Sequence, residues 1–210
     1  MSADFRLEAD LIADGIWPVA GIDEVGRGPL AGPVCVAAII LDRDNLPREI
    51  NDSKKLSAAR RERLYDEICA RALSVSLAFA PAAEIDRVNI RRATLACMAQ
   101  AARGLAVAPH FALVDGRDLP NLPCPGRAVI KGDAASLSIA AASIVAKVAR
   151  DRLMARLDAL HPGYGFGVHA GYPTPAHLDA LRRLGPCREH RRSYAPIRDS
   201  ILVNSFSSNS

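Results

Sequence analysis

No stretch of this sequence is apolar for long enough to cross a bilayer. The run Val34 to Leu41 falls far short of the roughly 20 residues a spanning helix needs. Cysteine is sparse and scattered: Cys35, Cys69, Cys97, Cys124 and Cys187 show no CxxC spacing and total an odd number. That pattern excludes a zinc ribbon and a disulfide framework and fits a reducing compartment. The net charge is only +4, so charge alone is weak evidence for a polyanionic partner. Internal repeats and heptads are missing, which gives an expectation of a monomer with no protein partner. The amino terminus is acidic (Asp4, Glu8, Asp10) and lacks a long apolar segment, so neither a signal peptide nor membrane attachment is expected, and a cytoplasmic location is.

What the chain does have is enough apolar material for a sizeable core: half of its 210 residues are hydrophobic. Val19 to Asp23 and Val34 to Leu41, joined across a Gly/Pro turn, read as an antiparallel strand pair. Ser57 caps a helix that carries Leu64 and Ile68 on one face and ends near Arg71. Leu73 to Phe79 alternates as a third strand, and Asn89 to Gly104 is Ala-rich and helical. His110 to Val114 and Arg127 to Ile130 supply two more strands. Ala134 to about Leu160 is the longest helical pattern, and Thr174, Pro175 and Gly185 bracket a short helix. The fold class is α/β, with a mixed five-stranded sheet flanked by helices and a small helical region towards the carboxy terminus. Residues 1–16 read as an extension, 17–198 as the folded domain with its helical part from about 160, and 199–210 as a flexible tail.

Four carboxylates stand at the ends of apolar runs or beside glycine: Asp23, Glu24, Asp115 in Val-Asp-Gly, and Asp133 in Lys-Gly-Asp. An acid ending a buried strand is costly unless solvated, hydrogen-bonded or paired with a cation. Acids converging at one sheet edge call for a divalent ion, and oxygen-only ligands favour Mg²⁺ or Mn²⁺ over zinc. Taken singly, Asp115-Gly116 can be a turn, Asp133 the N-cap of the long helix, and Asp23-Glu24 a solvated strand end.

The segment Gly21-Ile-Asp-Glu-Val-Gly-Arg-Gly-Pro-Leu-Ala-Gly-Pro33 superficially suggests a phosphate loop. Arg27 and Gly28 replace the required lysine and hydroxyl residue, and two acids inside the loop would repel a nucleotide. The spacing of Gly26, Gly28 and Gly32, with Pro29 and Pro33, also rules out a dinucleotide fingerprint. Instead, Ala20 to Val34 closely resembles the signature of bacterial ribonuclease HII. Asn51-Asp-Ser-Lys-Lys-Leu-Ser57 is similar to the basic loop of that family. Leu113-Val-Asp-Gly116 and Lys131-Gly-Asp133 match its third and fourth acidic positions. Ser138 to Asp151 resembles its Ala/Ser-rich helix, and Gly171-Tyr-Pro-Thr174 and His190-Arg-Arg-Ser-Tyr194 its carboxy-terminal motifs. The likeness runs over roughly residues 18–198.

The resemblance implies a ribonuclease H-like fold. It makes Asp23, Glu24, Asp115 and Asp133 the catalytic carboxylates that bind two divalent ions, Mn²⁺ or Mg²⁺. The implied substrates are RNA–DNA hybrids and duplex DNA containing ribonucleotides, nicked 5′ to the ribonucleotide to leave a 3′-hydroxyl and a 5′-phosphate. The bottom-up chemistry agrees. Gly26 and Gly28 leave a bare backbone that can approach a 2′-hydroxyl, the group that separates RNA from DNA. Arg27 can fork onto a phosphate, and family likeness makes Tyr172 the ring that packs on the ribose. Lys54 is expected to bind substrate. Ser136, Ser143, Lys147 and Arg150 share one helical stripe, and from it Ser143, Lys147 and Arg150 are expected to guide a phosphate backbone. The extensions at both ends lie outside the pattern and are free to vary. Two other readings stand beside the ribonuclease: a hybrid-binding protein without catalysis, and a DNA nuclease on a similar fold. The four acids speak against the first, and the Gly-Arg-Gly loop with Tyr172 against the second. His161, His169 and His190 are read as structural or phosphate contacts at best, and Trp17 as packing.

Overall fold

The computed structural model describes residues 3–48, 50 and 56–207. The elements, in order, are α1 (Arg6–Ala13), β1 (Val19–Val25), β2 (Val34–Ile40), α2 (Ala58–Arg71), β3 (Ser74–Ala80), α3 (Ala82–Val88), α4 (Ile90–Arg103), β4 (Phe111–Asp115), β5 (Gly126–Val129), a 3-10 turn (Gly132–Ala134), α5 (Leu137–Leu160), α6 (Phe166–His169), α7 (Pro175–Leu184) and α8 (Ala195–Ser207). By contacts the chain forms two compact units. The first comprises Met1–Val25, Cys35–Phe79 and Thr94–Val148; the second comprises Gly26–Val34, Ala80–Ala93 and Ala149–Ser210.

The first unit is built on the sheet, in the order β3-β2-β1-β4-β5. β1 runs antiparallel to β2 and parallel to β4, and β4 runs parallel to β5, so the sheet is mixed as expected. Every residue of β2 is buried, which is why its sequence reads as a continuous apolar run rather than an alternation. α2 starts where Ser57 predicts: its side chain accepts from the Arg60 N–H, and Leu64 and Ile68 face inward. Trp17 packs against the Val19, Leu113 and Ile139 cluster. At Gly21, β1 lies directly on the start of α5. A Cβ there would collide with the backbone of Ser138 and Ile139, so only glycine permits the approach.

Three sequence expectations need correction. A helix, α3, stands between β3 and α4 where none was expected. Its seven residues are too short to show a period, and its cap is Pro81, which has no side-chain hydrogen bond to give. The carboxy-terminal residues expected to be a flexible tail are helical through Ser207. This helix is anchored by Ile197 and Ile201 against Leu30 and Leu181 in the second unit.

The amino-terminal extension, expected to vary freely, is tied to the start of α5. The Asp4 carbonyl accepts from the Leu137 N–H at 2.9 Å. The fully buried Glu8 carboxylate accepts from Ser136 Oγ at 2.5 Å and from the Ser138 N–H at 2.9 Å. Ser136 Oγ in turn accepts from the Ile139 N–H, so Ser136, not Asp133, caps α5, with Glu8 behind it. Glu8→Ala orphans a buried N–H and a buried hydroxyl and is expected to cost about 2 kcal/mol of stability, measurable by urea unfolding. An unchanged midpoint would mean that α1 contributes no anchoring.

Candidate active site

The acids sit where the sheet ends. The β1–β4 register pairs Ile22 with Val114. One residue further on stand two carboxylates, Asp23 in β1, which continues to Val25 against β2, and Asp115, the last residue of β4. Among the described residues, Asp23, Glu24 and Asp115 form a group in which one carboxylate oxygen from each lies within 4.8 Å of the others. The Asp23 side chain is almost wholly buried, at 5 % exposure. Burial pushes its pKa well above the usual carboxylate value, and the neighbouring charges of Glu24 and Asp115 push it further. A hydrogen bond from Ser143 and another from the Glu24 N–H act in the opposite sense. The Glu24 N–H donates to Asp23 Oδ1 at 2.7 Å. Asp115 Oδ1 is held by the Gly132 N–H at 2.6 Å.

Asp133 is not among the three acids that converge. It is half-buried in the 3-10 turn, next to the Gly132 that holds Asp115. A hard divalent cation fits this donor set, since three closely spaced oxygens, one of them resisting ionisation, are stabilised by positive charge and need no soft ligand.

The stripe on α5 is not a surface. From Leu137 to Ala146 every residue is buried, because alanine and serine are small enough for neighbours to close in on all sides. Ser143 donates to Asp23 rather than lying open to a phosphate backbone. Lys147 is half-buried. Arg150 is the clear correction. Its side chain is fully buried and its guanidinium donates to the carbonyls of Pro33 (2.9 Å), Ala170 (2.9 Å) and Ala31 (3.2 Å). A phosphate has no access to it. Lys54 lies outside the described residues.

Within the second unit, Arg27 and Gly28 are exposed at the tip of the Gly-Arg-Gly loop. Tyr172 stands beside them, 43 % exposed, and its ring is the nearest neighbour a Cβ on Gly28 would meet, at 3.7 Å. The device that shapes this loop was not legible in the sequence. Arg191, from a basic run that reads as solvated surface, is fully buried. It donates to the carbonyls of Gly26 (2.6 Å), Arg27 (2.8 Å) and Gly32 (2.8 and 3.0 Å). Tyr194 adds a hydroxyl to the Arg27 carbonyl at 2.6 Å, and its ring lies under the Arg191 guanidinium. In a trans peptide the C=O and the following N–H point opposite ways. Turning the Gly26 and Arg27 carbonyls onto Arg191 therefore aims the N–H groups of Arg27 and Gly28 away from it. The flanking Arg188 and Arg192 are exposed, so only the burial pattern of the fold separates the clamp from its neighbours. Tyr194, at i+3, is the one sequence hint.

The family model for ribonuclease HII matches residues 20–196. The chain belongs to the ribonuclease HII family. Membership carries the class of activity, that of a ribonuclease H endonuclease acting on RNA–DNA hybrids. The chain is 56 % identical to the ribonuclease HII of Sinorhizobium fredii over 94 % of its own length and 85 % of that protein. It is 57 % identical to the ribonuclease HII of Azorhizobium caulinodans, over 95 % of its own length and 76 % of that protein. Among solved structures, ribonuclease H2 from Pyrococcus horikoshii OT3 superposes with a TM-score of 0.76 at 26 % identity, covering 88 % of this chain and 97 % of that one. The mixed sheet with its flanking helices is thus the ribonuclease H-like fold that the motifs imply.

Proposed function

We propose that this member of the family hydrolyses the RNA strand of hybrids and also nicks duplex DNA 5′ to a single embedded ribonucleotide, leaving a 3′-hydroxyl and a 5′-phosphate. The observation that carries the chemistry is the convergence of Asp23, Glu24 and Asp115 within 4.8 Å, with the Asp23 pKa raised by burial and by its two acidic neighbours. Those three carboxylates, with Asp133 from the adjoining turn, would hold two Mg²⁺ or Mn²⁺ ions. When bound, such ions supply Lewis acidity and charge neutralisation for in-line displacement at a phosphodiester.

The remaining work belongs to the chain's own groups. Ser143 and the Glu24 N–H orient the Asp23 carboxylate, and the Gly132 N–H orients Asp115. Holding ligands in place before the reaction removes a reorganisation cost from the chemical step. Recognition of the ribose falls to residues of the second unit. The outward-facing N–H groups of Arg27 and Gly28 are suited to hydrogen-bond a sugar hydroxyl or a phosphate oxygen, the Arg27 side chain to grip a phosphate, and the exposed Tyr172 ring to pack on the sugar.

The test uses labelled duplex DNA carrying one ribonucleotide, alongside a long hybrid and an all-DNA duplex, with Mg²⁺, with Mn²⁺ and with chelator. Metal-dependent nicking 5′ to the ribonucleotide, with the all-DNA duplex left intact, is the expected result. Equal cutting of the all-DNA duplex would overturn the ribose reading, and cleavage undiminished by chelator would overturn the metal reading.

A further inference from the structure

Four histidines gather in the second unit around Phe166, with ring-centroid distances from it of 6.4 Å for His161, 6.2 Å for His169, 5.6 Å for His177 and 5.5 Å for His190. His177 and His190 are fully or almost fully buried, and the chemistry described above uses neither. They form a chain of hydrogen bonds with one possible direction. His177 Nδ1 lies 2.9 Å from the Tyr172 carbonyl, which can only accept, so Nδ1 carries a proton. At the far end the Cys187 N–H, which can only donate, reaches His190 Nδ1 at 3.0 Å, so that nitrogen is bare. The single proton of neutral His190 therefore sits on Nε2 and is donated across 3.1 Å to the bare Nε2 of His177.

Backbone groups at both ends fix the same sense, and an extra proton on either ring would face another donor. Burial lowers the pKa of both rings, that of His190 to about 4, with the neighbouring His177 acting in the same direction. The Cys187 thiol, pushed up by burial, lies 3.2 Å from His190 Nδ1 as a second donor.

The chain ends on the residue that stands over Gly28. The turn bearing Tyr172 is held on every side. The Tyr172 N–H donates to the His169 carbonyl at 2.9 Å, and the Gly171 carbonyl accepts from the Leu30 N–H at 2.8 Å. The Gly171 N–H reaches His169 Nδ1 at 3.2 Å, and the His169 ring stacks on His177 with centroids 4.4 Å apart. The His177 contact links this turn directly to the segment around Cys187 and His190.

We infer that His190 and His177 form a neutral positioning relay that fixes the Tyr172 ring over Gly28, so that selection for a ribose depends on two buried histidines that never touch substrate. The inference rests on the reading of Tyr172 as the residue that packs on the ribose.

The experiment is a double-mutant cycle on the full chain, reading the ratio of cleavage at a single ribonucleotide to cleavage of all-DNA duplex, with kcat and KM separated. His177→Phe keeps the ring contacts and removes both nitrogens. It is expected to reduce discrimination about tenfold, mainly through KM, as is Tyr172→Ala, and the double variant is expected to be no worse than Tyr172→Ala alone. His177→Asn can keep a donor for the Tyr172 carbonyl and should retain more discrimination than His177→Phe. Loss in Tyr172→Ala with none in His177→Phe overturns the relay and leaves the ribose reading standing. Effects that multiply in the double variant also overturn the relay. No effect of Tyr172→Ala overturns the ribose reading, and with it the purpose of the relay. A readout that needs no variant is the ¹⁵N spectrum of histidine-labelled wild-type protein. The relay requires His177 as the Nδ1–H tautomer and His190 as the Nε2–H tautomer at neutral pH, and it is overturned if either ring is charged or in the opposite tautomer.

Discussion

Asp23→Asn yields a protein that is more stable than wild type in chelator and inactive in metal. The two effects have one cause. In the folded chain without a cation, burial raises the Asp23 pKa above its ordinary 3.8, and Glu24 and Asp115 raise it further. Below pH 3.8 the group is protonated folded or unfolded and contributes nothing to the balance. As pH rises from there towards the raised folded value, the unfolded chain releases its proton first. The folded state then holds more protons than the unfolded state, so stability falls with pH across that window and stays reduced above it. An amide carries no such penalty. The expected gain is on the order of 1 kcal/mol at neutral pH in chelator, the scale common when a strained functional group is relieved. Melting curves should show the wild-type midpoint declining as pH rises above 3.8, and a shallower decline in Asp23→Asn. Divalent metal should then raise the wild-type midpoint by linkage and leave the variant nearly unmoved. Cleavage by the variant is expected to fall about a thousandfold, on the order of 4 kcal/mol of transition-state stabilisation. A variant that is both less stable in chelator and fully active would show that Asp23 is an ordinary strand-end acid.

Gly28→Ala separates recognition from folding. The new methyl would meet Tyr172 Cε1 at 3.7 Å, an ordinary contact, and Gly28 is not among the glycines with positive φ. The protein should therefore fold with stability within about 0.5 kcal/mol of wild type. The methyl would occupy the space between loop and ring that a sugar needs, so nicking at a ribonucleotide is expected to drop about a hundredfold, the scale of loss when a reacting group is displaced by an ångström. Gly26→Ala cannot serve the same purpose. Gly26 has φ +93°, and a Cβ there would run into the Arg150 side chain, so the variant would report on packing. Undiminished cleavage by a folded Gly28→Ala protein would remove the loop from ribose recognition.

The strands and capped helices were legible because local chemistry decides them. Ser57, Thr174 and Gly185 act within a few residues of where they stand. The convergence of Asp23, Glu24 and Asp115 was legible for a related reason, since each marks the end of an apolar run and runs laid side by side in one sheet end together. What stayed hidden depends on contacts remote in sequence. Glu8 meets Ser136 across 128 positions, Arg150 meets Pro33 across 117, and Arg191 meets Gly26 across 165. A spacing of i, i+7 and i+14 shows that side chains share a stripe and says nothing of what lies over it. The burial of Arg150 is hidden on that account, and Arg191 is lost within its basic run.

The carbonyls from Gly26 to Pro33 are answered largely from outside the loop: Gly26, Arg27 and Gly32 by the Arg191 side chain, Leu30 by the Arg191 N–H, and Ala31 and Pro33 by Arg150. On the proposed ribose reading, a protein engineer wishing to retune the sugar preference would find much of the loop's contribution carried by main chain. The adjustable parts are two arginines more than a hundred residues downstream, and altering either one moves several carbonyls together. The loop either keeps its shape or loses it, and a new preference would have to come from the surrounding side chains.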